Sequence, residues 1–349
     1  MKNASPCTLA DVARHAGVAI STASIALRND PRLPVETRRR IKKAARQLKY
    51  RPDPVLAALV TRRLHRTGRQ SFANVAALID DRWRPIARRE WMEKFLNGMR
   101  RICEALGYHL DELYMQSDLG GSHGANRVLR ARGIRGLALL PMPAHPFDLE
   151  LDWNEFAVVA VGNLQTPHRF HRVGSDAFAS MQIACDRLVA HGYRRIGLVH
   201  TLEIERRLRY EWLGSMAKEA YLETKRFTVI PPHLPEILEE KAFQRWIQKY
   251  RPDALISNDD RPYRWLAATG IRIPRDMGYV SLNREVTPRP DTSGIAQHLD
   301  IMGENAAELL HTMLSRGETG IPRHAKEVLV YPHWVEGKTM RRQKSVATP

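Results

Sequence analysis

Apolar positions along this chain follow two different periods, and the change from one to the other falls near residue 70. Before it, apolar residues recur every three or four positions: Val12, Ala13 and Ala16, then Ile41, Ala44, Ala45 and Leu48. That spacing predicts short amphipathic helices. Thr8 followed by Leu9, Ala10 and Asp11 gives a capping-box start to the first, and Gly17 stops it. A second helix is predicted from about Ala19 to Arg28, and a third begins after Pro34. Beyond Phe72 the texture becomes short, continuously apolar runs: NVAALI, GLALLP, FAVVAVG, RIGLVH, DALISN and GYVSL. Such runs suit parallel strands covered on both faces. Helical stretches lie between them, among them Trp91 to Leu106, Phe178 to His191 and Phe243 to Tyr250. The alternation implies a doubly wound α/β body, and no internal repeat interrupts it.

Charge sharpens this division. The net charge is +17, and residues 1–70 hold 16 Lys/Arg against 4 Asp/Glu, leaving 39 against 34 for the rest. The third predicted helix alone is flanked by Arg38, Arg39, Arg40, Lys42, Lys43 and Arg46. A basic excess confined to one end is the footprint of a polyanion, and nucleic acid fits better than membrane because no stripe of large apolar residues accompanies it. Three widely spaced cysteines, Cys7, Cys103 and Cys185, imply no disulfide framework. The start MKNASPCTLADV lacks an apolar export core, and no run approaches the length of a membrane span, so a cytoplasmic location is expected.

In the head, small Ala13 and turn-forming Gly17 let two short helices cross closely, as a helix-turn-helix requires. Spacing alone fits any small helical bundle, and the local charge favours DNA. The stretch TLADVARHAGVAISTASIALRNDPRLPVETRRRIKKAARQLKYRPDP is moreover similar to the head of the lactose-repressor (LacI/GalR) family of transcription factors. The family pattern is close to T-x-x-D-V-A-x-x-A-G-V-S-x-x-T-V-S-R-x-L-N, then T-R-x-R-I, then L-G-Y-x-P. The resemblance implies that Ile20, Ser21 and Ile25 read base edges, while Thr8, Thr22, Ser24, Asn29 and Thr37 contact phosphates. Hydroxyl and amide groups suit the second task, since they donate to phosphate oxygens. The chain departs from the pattern at three places. Ala19 stands where Ser is usual, and loss of such an N-cap costs about 1 kcal/mol. Ile25 stands where Arg is frequent, exchanging a guanine reader for an apolar contact. Ala23 replaces the usual Val, removing volume beneath the helix.

KYRPDPVLAALVTRRLHR follows. Pro52 ends the third helix, Asp53 and Pro54 can start another, and Val55, Leu56, Leu59 and Val60 form a narrow apolar strip. By the resemblance this is a hinge helix, ordered when two copies pair on DNA, with Leu59 as the minor-groove wedge and Leu56 one turn before it. A linker helix packed on the body is the alternative.

The resemblance continues through VGSDAFASMQIACDRLVAHGYRRIGLV, PDALISNDD and GIRIPRDMGYVSLN. These are similar to the effector-binding core of that family, which shares the periplasmic-binding-protein-like fold. The expected architecture is therefore an N-terminal three-helix helix-turn-helix domain (1–51), a hinge helix (52–66), an α/β core of two doubly wound lobes (72–340) and a C-terminal tail (341–349). The first lobe is placed at about 72–172 plus 297–325, and the second at about 173–296 plus 326–340. Ligands of such sheets bind beyond strand C-terminal ends, between the lobes. Candidate effector contacts there are Trp83, Asn163, Arg209, Asp259, Asn283 and Gln297. Each has a plainer reading: Asp259 as a helix cap, Arg209 as a solvated charge, Trp83 as core. Asn283 stands where sugar-responsive members commonly carry Asp, and an amide cannot pair ionically with Arg209.

Other signals lead nowhere chemical. GGSHG at 120–124 lacks the Lys-Ser/Thr of a phosphate loop and reads as a loop. His168 and His171 read as solvated loop residues, with no cysteine or carboxylate to complete a metal site. Asp80-Asp81 and Asp259-Asp260 would point to opposite strand faces, so neither pair converges for acid–base work. No G-x-S-x-G motif occurs. The expectation is a homodimeric transcriptional regulator, a repressor, that binds a double-stranded operator and a sugar-like effector. No enzymatic activity, cofactor, metal or membrane is expected. The alternatives are a regulator without ligand sensing, an architectural DNA-bending protein, and an enzyme with an incidental basic head.

Overall fold

The computed structural model describes residues 8–27, 33–48, 50, 74–83, 90–141, 149–162, 166–222, 226–285 and 287–343. The head holds three helices, α1 (Leu9–Ala16), α2 (Ile20–Leu27) and α3 (Val35–Gln47). Thr8 caps α1: its Oγ1 accepts the Asp11 backbone N–H at 3.3 Å, and the Asp11 carboxylate accepts the Thr8 N–H at 2.9 Å. Gly17 closes α1 in the left-handed region at φ 62°. A Cβ there would meet nothing within 4 Å, so glycine serves the turn rather than the close crossing. Val12, Ala13 and Ala16 of α1, Ala23 and Ala26 of α2, and Ile41, Ala44 and Ala45 of α3 form the head's core.

The described residues of the body form two six-stranded sheets. In the first lobe, β1 (Asn74–Ile79), β2 (His109–Tyr114), β3 (Ile134–Leu139), β4 (Ala157–Val161), β5 (His171–Ser175) and β11 (Glu327–Val330) lie in the order β11-β5-β4-β3-β1-β2, all parallel. In the second, β6 (Arg195–Leu198), β7 (Thr228–Val229), β8 (Ala254–Ser257), β9 (Gly278–Ser281), β10 (Gly294–Ala296) and β12 (His333–Val335) follow the order β12-β10-β9-β8-β6-β7. Only β12 there runs antiparallel to its neighbour. One strand order is thus built twice, although the sequence carries no repeat.

Helices cover both faces of each sheet, as the apolar strand runs require. In the first lobe, α4 (Glu90–Leu106) and α11 (Leu299–Arg316) pack on Val75, Ala77, Ala138 and Val159, while α5 (Gly121–Ala131) and residues 149–156 cover Ala76, Leu78, Leu137 and Val158. In the second, α6 (Ala177–Ala190) and α8 (Glu211–Ala217) cover one face, and α9 (Glu240–Tyr250) and α10 (Arg261–Ala268) the other.

The structure corrects the sequence reading in three places. Gly121 to Gly124, read as loop, form the first turn of α5 behind the left-handed Gly120. His171 is a buried residue of β5 whose Nδ1 accepts the Lys326 N–H at 2.9 Å, not a solvated loop histidine, and burial lowers its pKa. The lobe boundaries placed at 172/173 and 325/326 fall later, because β5 and β11 are paired through Ser175 and Val330 within the first sheet. β10 of the second sheet ends at Ala296, and α11, which packs on the first sheet, begins at Leu299.

Near that crossing α4 and α11 approach with almost no space between backbones. A Cβ on Gly98 would lie 2.0 Å from the Asp300 carbonyl oxygen, and one on Gly303 would lie 2.0 Å from that of Phe95. Gly303→Ala is therefore expected to cost about 1–3 kcal/mol through overpacking. Urea unfolding checks this, and an unchanged midpoint would refute the close approach.

Candidate DNA-reading face and ligand crevice

The candidate reading face is built on α2. Ala23 and Ala26 are its core-facing residues, fully buried, and their small size lets α2 sit close to α1 and α3. Ile20, at its first position, is 54 % exposed. Ser21, Ser24 and Ile25 belong to the same helix. Thr22 and Thr37 are half-buried, the latter in the first turn of α3. Thr8 is exposed and already serves the α1 cap. Ala19 offers no side-chain oxygen to cap α2, although its carbonyl accepts the Ala23 N–H at 3.0 Å. Arg39, Arg40, Lys43 and Arg46 leave α3 exposed and basic. Asn29, Leu56, Leu59 and Asn163 lie outside the described residues.

The crevice candidates sit beyond strand ends, as expected of a doubly wound sheet. Trp83 follows β1. Its indole N–H donates to the Pro141 carbonyl at 2.8 Å, just past β3, and its ring packs partly on the first lobe's core. Asp259 follows β8, one residue before the N-cap Asp260 of α10, and its carboxylate serves the first residue of that helix. It grips Arg261, accepting the backbone N–H at 2.8 Å, Nε at 3.0 Å and Nη2 at 2.7 Å. Asp80, after β1, grips Arg82 in the same way, at 2.8 Å, 2.8 Å and 2.5 Å. Asn283 and Gln297 are brought together on one turn. Asn283 Oδ1 accepts the Glu285 N–H at 3.1 Å, the Glu285 carboxylate accepts the Gln297 N–H at 3.1 Å, and Gln297 Nε2 donates to the Leu282 carbonyl at 2.9 Å. Beside them, His298 Nε2 and His333 Nδ1, from two of the crossings, share a hydrogen bond at 2.5 Å.

Arg209 sits at the corner between α7 (Leu202–Arg207) and α8. The corner is pinned from inside by Glu205, fully buried, which meets His200 Nε2 at 2.8 Å and accepts the Leu213 N–H at 3.3 Å. His200 stacks on Trp212. Arg209 and Tyr210 both turn left-handed, at φ 55° and 60°, and this sends the Arg209 side chain towards the first lobe. There its Nη1 and Nη2 each donate to the Glu327 carboxylate at 3.1 Å. Arg172 Nη2 donates to the same carboxylate at 2.7 Å from β5. Hydrogen bonds from Arg172 and then Arg209 hold Glu327 down at about 2, well under the usual carboxylate value. Neither Arg172 nor Glu327 was expected at the site. Glu327 reads in sequence as one more charge in KEVLV, and its partner is 118 positions away.

The adjacent acid pairs do not converge, although they lie in turns after the strands rather than on them. Asp80 is committed to Arg82, while Asp81 accepts the Gln116 and Ser117 N–H groups. Asp260 pairs with Arg264 and Arg289. Among the described residues no group of three or more His, Cys, Asp or Glu could hold a metal ion. None of their helices is long and apolar enough to cross a membrane.

Comparison with known proteins agrees with this geometry. Residues 8–53 match the family described as bacterial regulatory proteins, lacI family, and residues 185–340 match the periplasmic binding protein-like domain. The chain thus joins a lacI-family helix-turn-helix head to a periplasmic-binding-protein-like body. The HTH-type transcriptional repressor PurR of Pectobacterium carotovorum subsp. carotovorum (strain PC1) is 22% identical over 347 residues, covering 95% of this chain and 96% of that protein. The regulator PtxS of Pseudomonas plecoglossicida is 27% identical over 190 residues, 54% of this chain and 52% of that protein. Among solved structures, the regulator CelR in complex with cellobiose superposes with a TM-score of 0.58 at 18% identity, covering 95% of this chain and 99% of that one. The lac repressor dimer bound to operator and the anti-inducer ONPF gives 0.56 at 18% identity, covering 97% and 100%.

The depressed Glu327 carboxyl has a consequence for acid stability. A group with a lowered folded-state pKa stabilises the fold above its ordinary value, and that contribution is lost as pH falls through the folded value. The melting-temperature advantage of the wild type over Glu327→Gln should therefore be full above 4.5 and disappear towards about 2. A gap that stays constant over this range in thermal melts would show that the pair contributes nothing.

Proposed function

We propose that this regulator is a homodimeric, sequence-specific repressor of a near-palindromic operator, and that a small sugar-like ligand between its lobes sets its DNA affinity. The observation that carries this reading is the join of a basic three-helix head, displaying Ile20 at the start of a helix seated on alanines, to two lobes linked by three crossings. In this reading Ile20, Ser21 and Ile25 meet base edges. Thr8, Thr22, Ser24, Asn29 and Thr37 meet phosphates and fix register without reading sequence. Leu56 and Leu59 enter the minor groove at the dimer axis and kink a central step, which favours an easily deformed pyrimidine–purine pair there. The solved lac repressor dimer bound to operator and the cellobiose complex of CelR support the two binding roles by likeness of fold. A ligand shifts DNA affinity only by the difference in its affinity for the two lobe arrangements. Trp83, Arg209, Asp259, Asn283 and Gln297 are the described contacts on offer, and Asn163 adds a sixth. The protein works in the cytoplasm and catalyses no reaction.

Selection of bound duplexes from a random pool by the purified chain tests the DNA reading. Recovery of a palindrome supports it, whereas retained binding with no motif favours an architectural DNA-bending protein. On the recovered operator, Ile20→Ala should weaken binding about fivefold, the equivalent of about 1 kcal/mol of apolar contact. Leu59→Ala should reduce bending in a gel-phasing assay, and unchanged bending would remove the wedge.

A further inference from the structure

Two arginines from opposite lobes converge on one carboxylate. Arg172 lies in β5 with its side chain only 9% exposed. Its Nη1 stands 3.0 Å from the point where a Cβ on Gly174 would be, so the guanidinium runs along the strand towards the C-terminal end. The route is open because Gly174 has no side chain. Gly162, the residue after β4, borders the same point at 3.9 Å. Arg209 reaches Glu327 from the second lobe, its Nη2 also donating to Glu211 of its own lobe at 3.1 Å, and among the described residues Arg209 and Glu327 form the ion pair that joins the lobes. Arg209 is 55% exposed, so solvent and solutes reach it.

The strand-end turns carry the same sign outward. Asp80 is 8% exposed while the Arg82 it grips is 42% exposed, and Asp259 is 22% exposed against 38% for Arg261. In each turn the carboxylate orients the guanidinium, which is the more exposed of the two groups. Asn283, after β9, is an uncharged amide. Guanidinium groups held in fixed orientation suit carboxylate and phosphate oxygens better than sugar hydroxyls.

We propose that the crevice ligand is an anionic small molecule, carrying a carboxylate or a phosphate group, and that its charged group displaces Glu327 from Arg209. Glu327 then holds the ligand's place when the crevice is empty and ties the lobes together, and ligand entry exchanges that tie for one through the ligand. The inference rests on the reading of the crevice as the regulator's ligand site.

The test uses the full chain, with inorganic phosphate and acetate as probes for the two anion chemistries. Thermal shift is read on the wild type, Glu327→Gln and Glu327→Gln/Arg209→Gln. Phosphate stabilises many proteins without binding, so the difference between variants is the readout. With the internal carboxylate removed, half-saturation by one of the two anions should fall about tenfold in Glu327→Gln, a charge-assisted contact's worth, and the double variant should lose the response. Phosphate alone acting names a phosphorylated ligand, and acetate alone a carboxylic acid. Equal responses to both anions in all three proteins, or none in Glu327→Gln, would overturn the proposal. So would a neutral sugar such as glucose protecting the wild type as well as gluconate or glucose 6-phosphate does. Operator binding is measured on the same preparations. Its absence beside a clear anion response would count against the DNA reading and leave the ligand class standing, and the converse holds.

Discussion

The parallel pairing of β5 with β11 governs how the body can move. Both strands belong to the first sheet, both leave it for the second lobe, and they leave side by side, with the Asp176 N–H donating to the Val330 carbonyl at 3.1 Å. The third crossing runs the other way, from β10 into α11, and the histidine pair His298 and His333 ties it to its neighbour. Relative motion of the lobes is thereby confined to a few residues around 176, 297–298 and 331–332. Every candidate ligand contact beyond the strand ends is set by this narrow connection, because it decides which turns of one lobe face which turns of the other.

Electrostatics within that frame is organised by near neighbours. The Asp80–Arg82 and Asp259–Arg261 turns repeat one hydrogen-bond pattern at non-equivalent strands of the two sheets, so the resemblance between them comes from local chemistry rather than from the shared strand order. An aspartate that accepts the i+2 backbone N–H is already a preferred turn, and a following arginine can satisfy the same carboxylate with its side chain. The Arg172–Glu327–Arg209 cluster differs in kind. Its partners come from three distant parts of the chain, and its geometry exists only when the lobes hold their present angle.

That contrast explains what could be read from sequence. Strands such as NVAALI and DALISN were legible because both faces are covered and their central positions are all apolar. The edge strand β2, HLDELY, was not, since half its side chains remain partly exposed and polar. Likewise HRVGS of β5 begins with a histidine and an arginine that are buried only because Lys326 and Glu327 lie alongside. In the helix-turn-helix the start of each helix was legible to within a residue, helped by the capping box and left-handed glycine as local signals, whereas α3 ends at Gln47, short of the Pro52 expected to stop it. In the crevice, strand ends located the candidate residues, but hydrogen-bond commitments assigned their work. Asp259 orients an arginine, and Gln297 fastens a turn. No local pattern announces a partner that folding brings from a hundred or more positions away.

The glycine contact between α4 and α11 bears on how a signal would travel. Asp300 and Gly303 lie within about two turns of the crossing at 297–298, and there the two helix backbones touch with no side chain between them. Side chains can change rotamer and absorb a small displacement, whereas carbonyl against Cα has no slack to give. The crossing and α4 are therefore coupled by rigid backbone contact, and α4 packs on β1, the strand that follows the segment leading from the head. The pair behaves as a single stiff strut, anchored at the interlobe joint and lying against the first strand of the body.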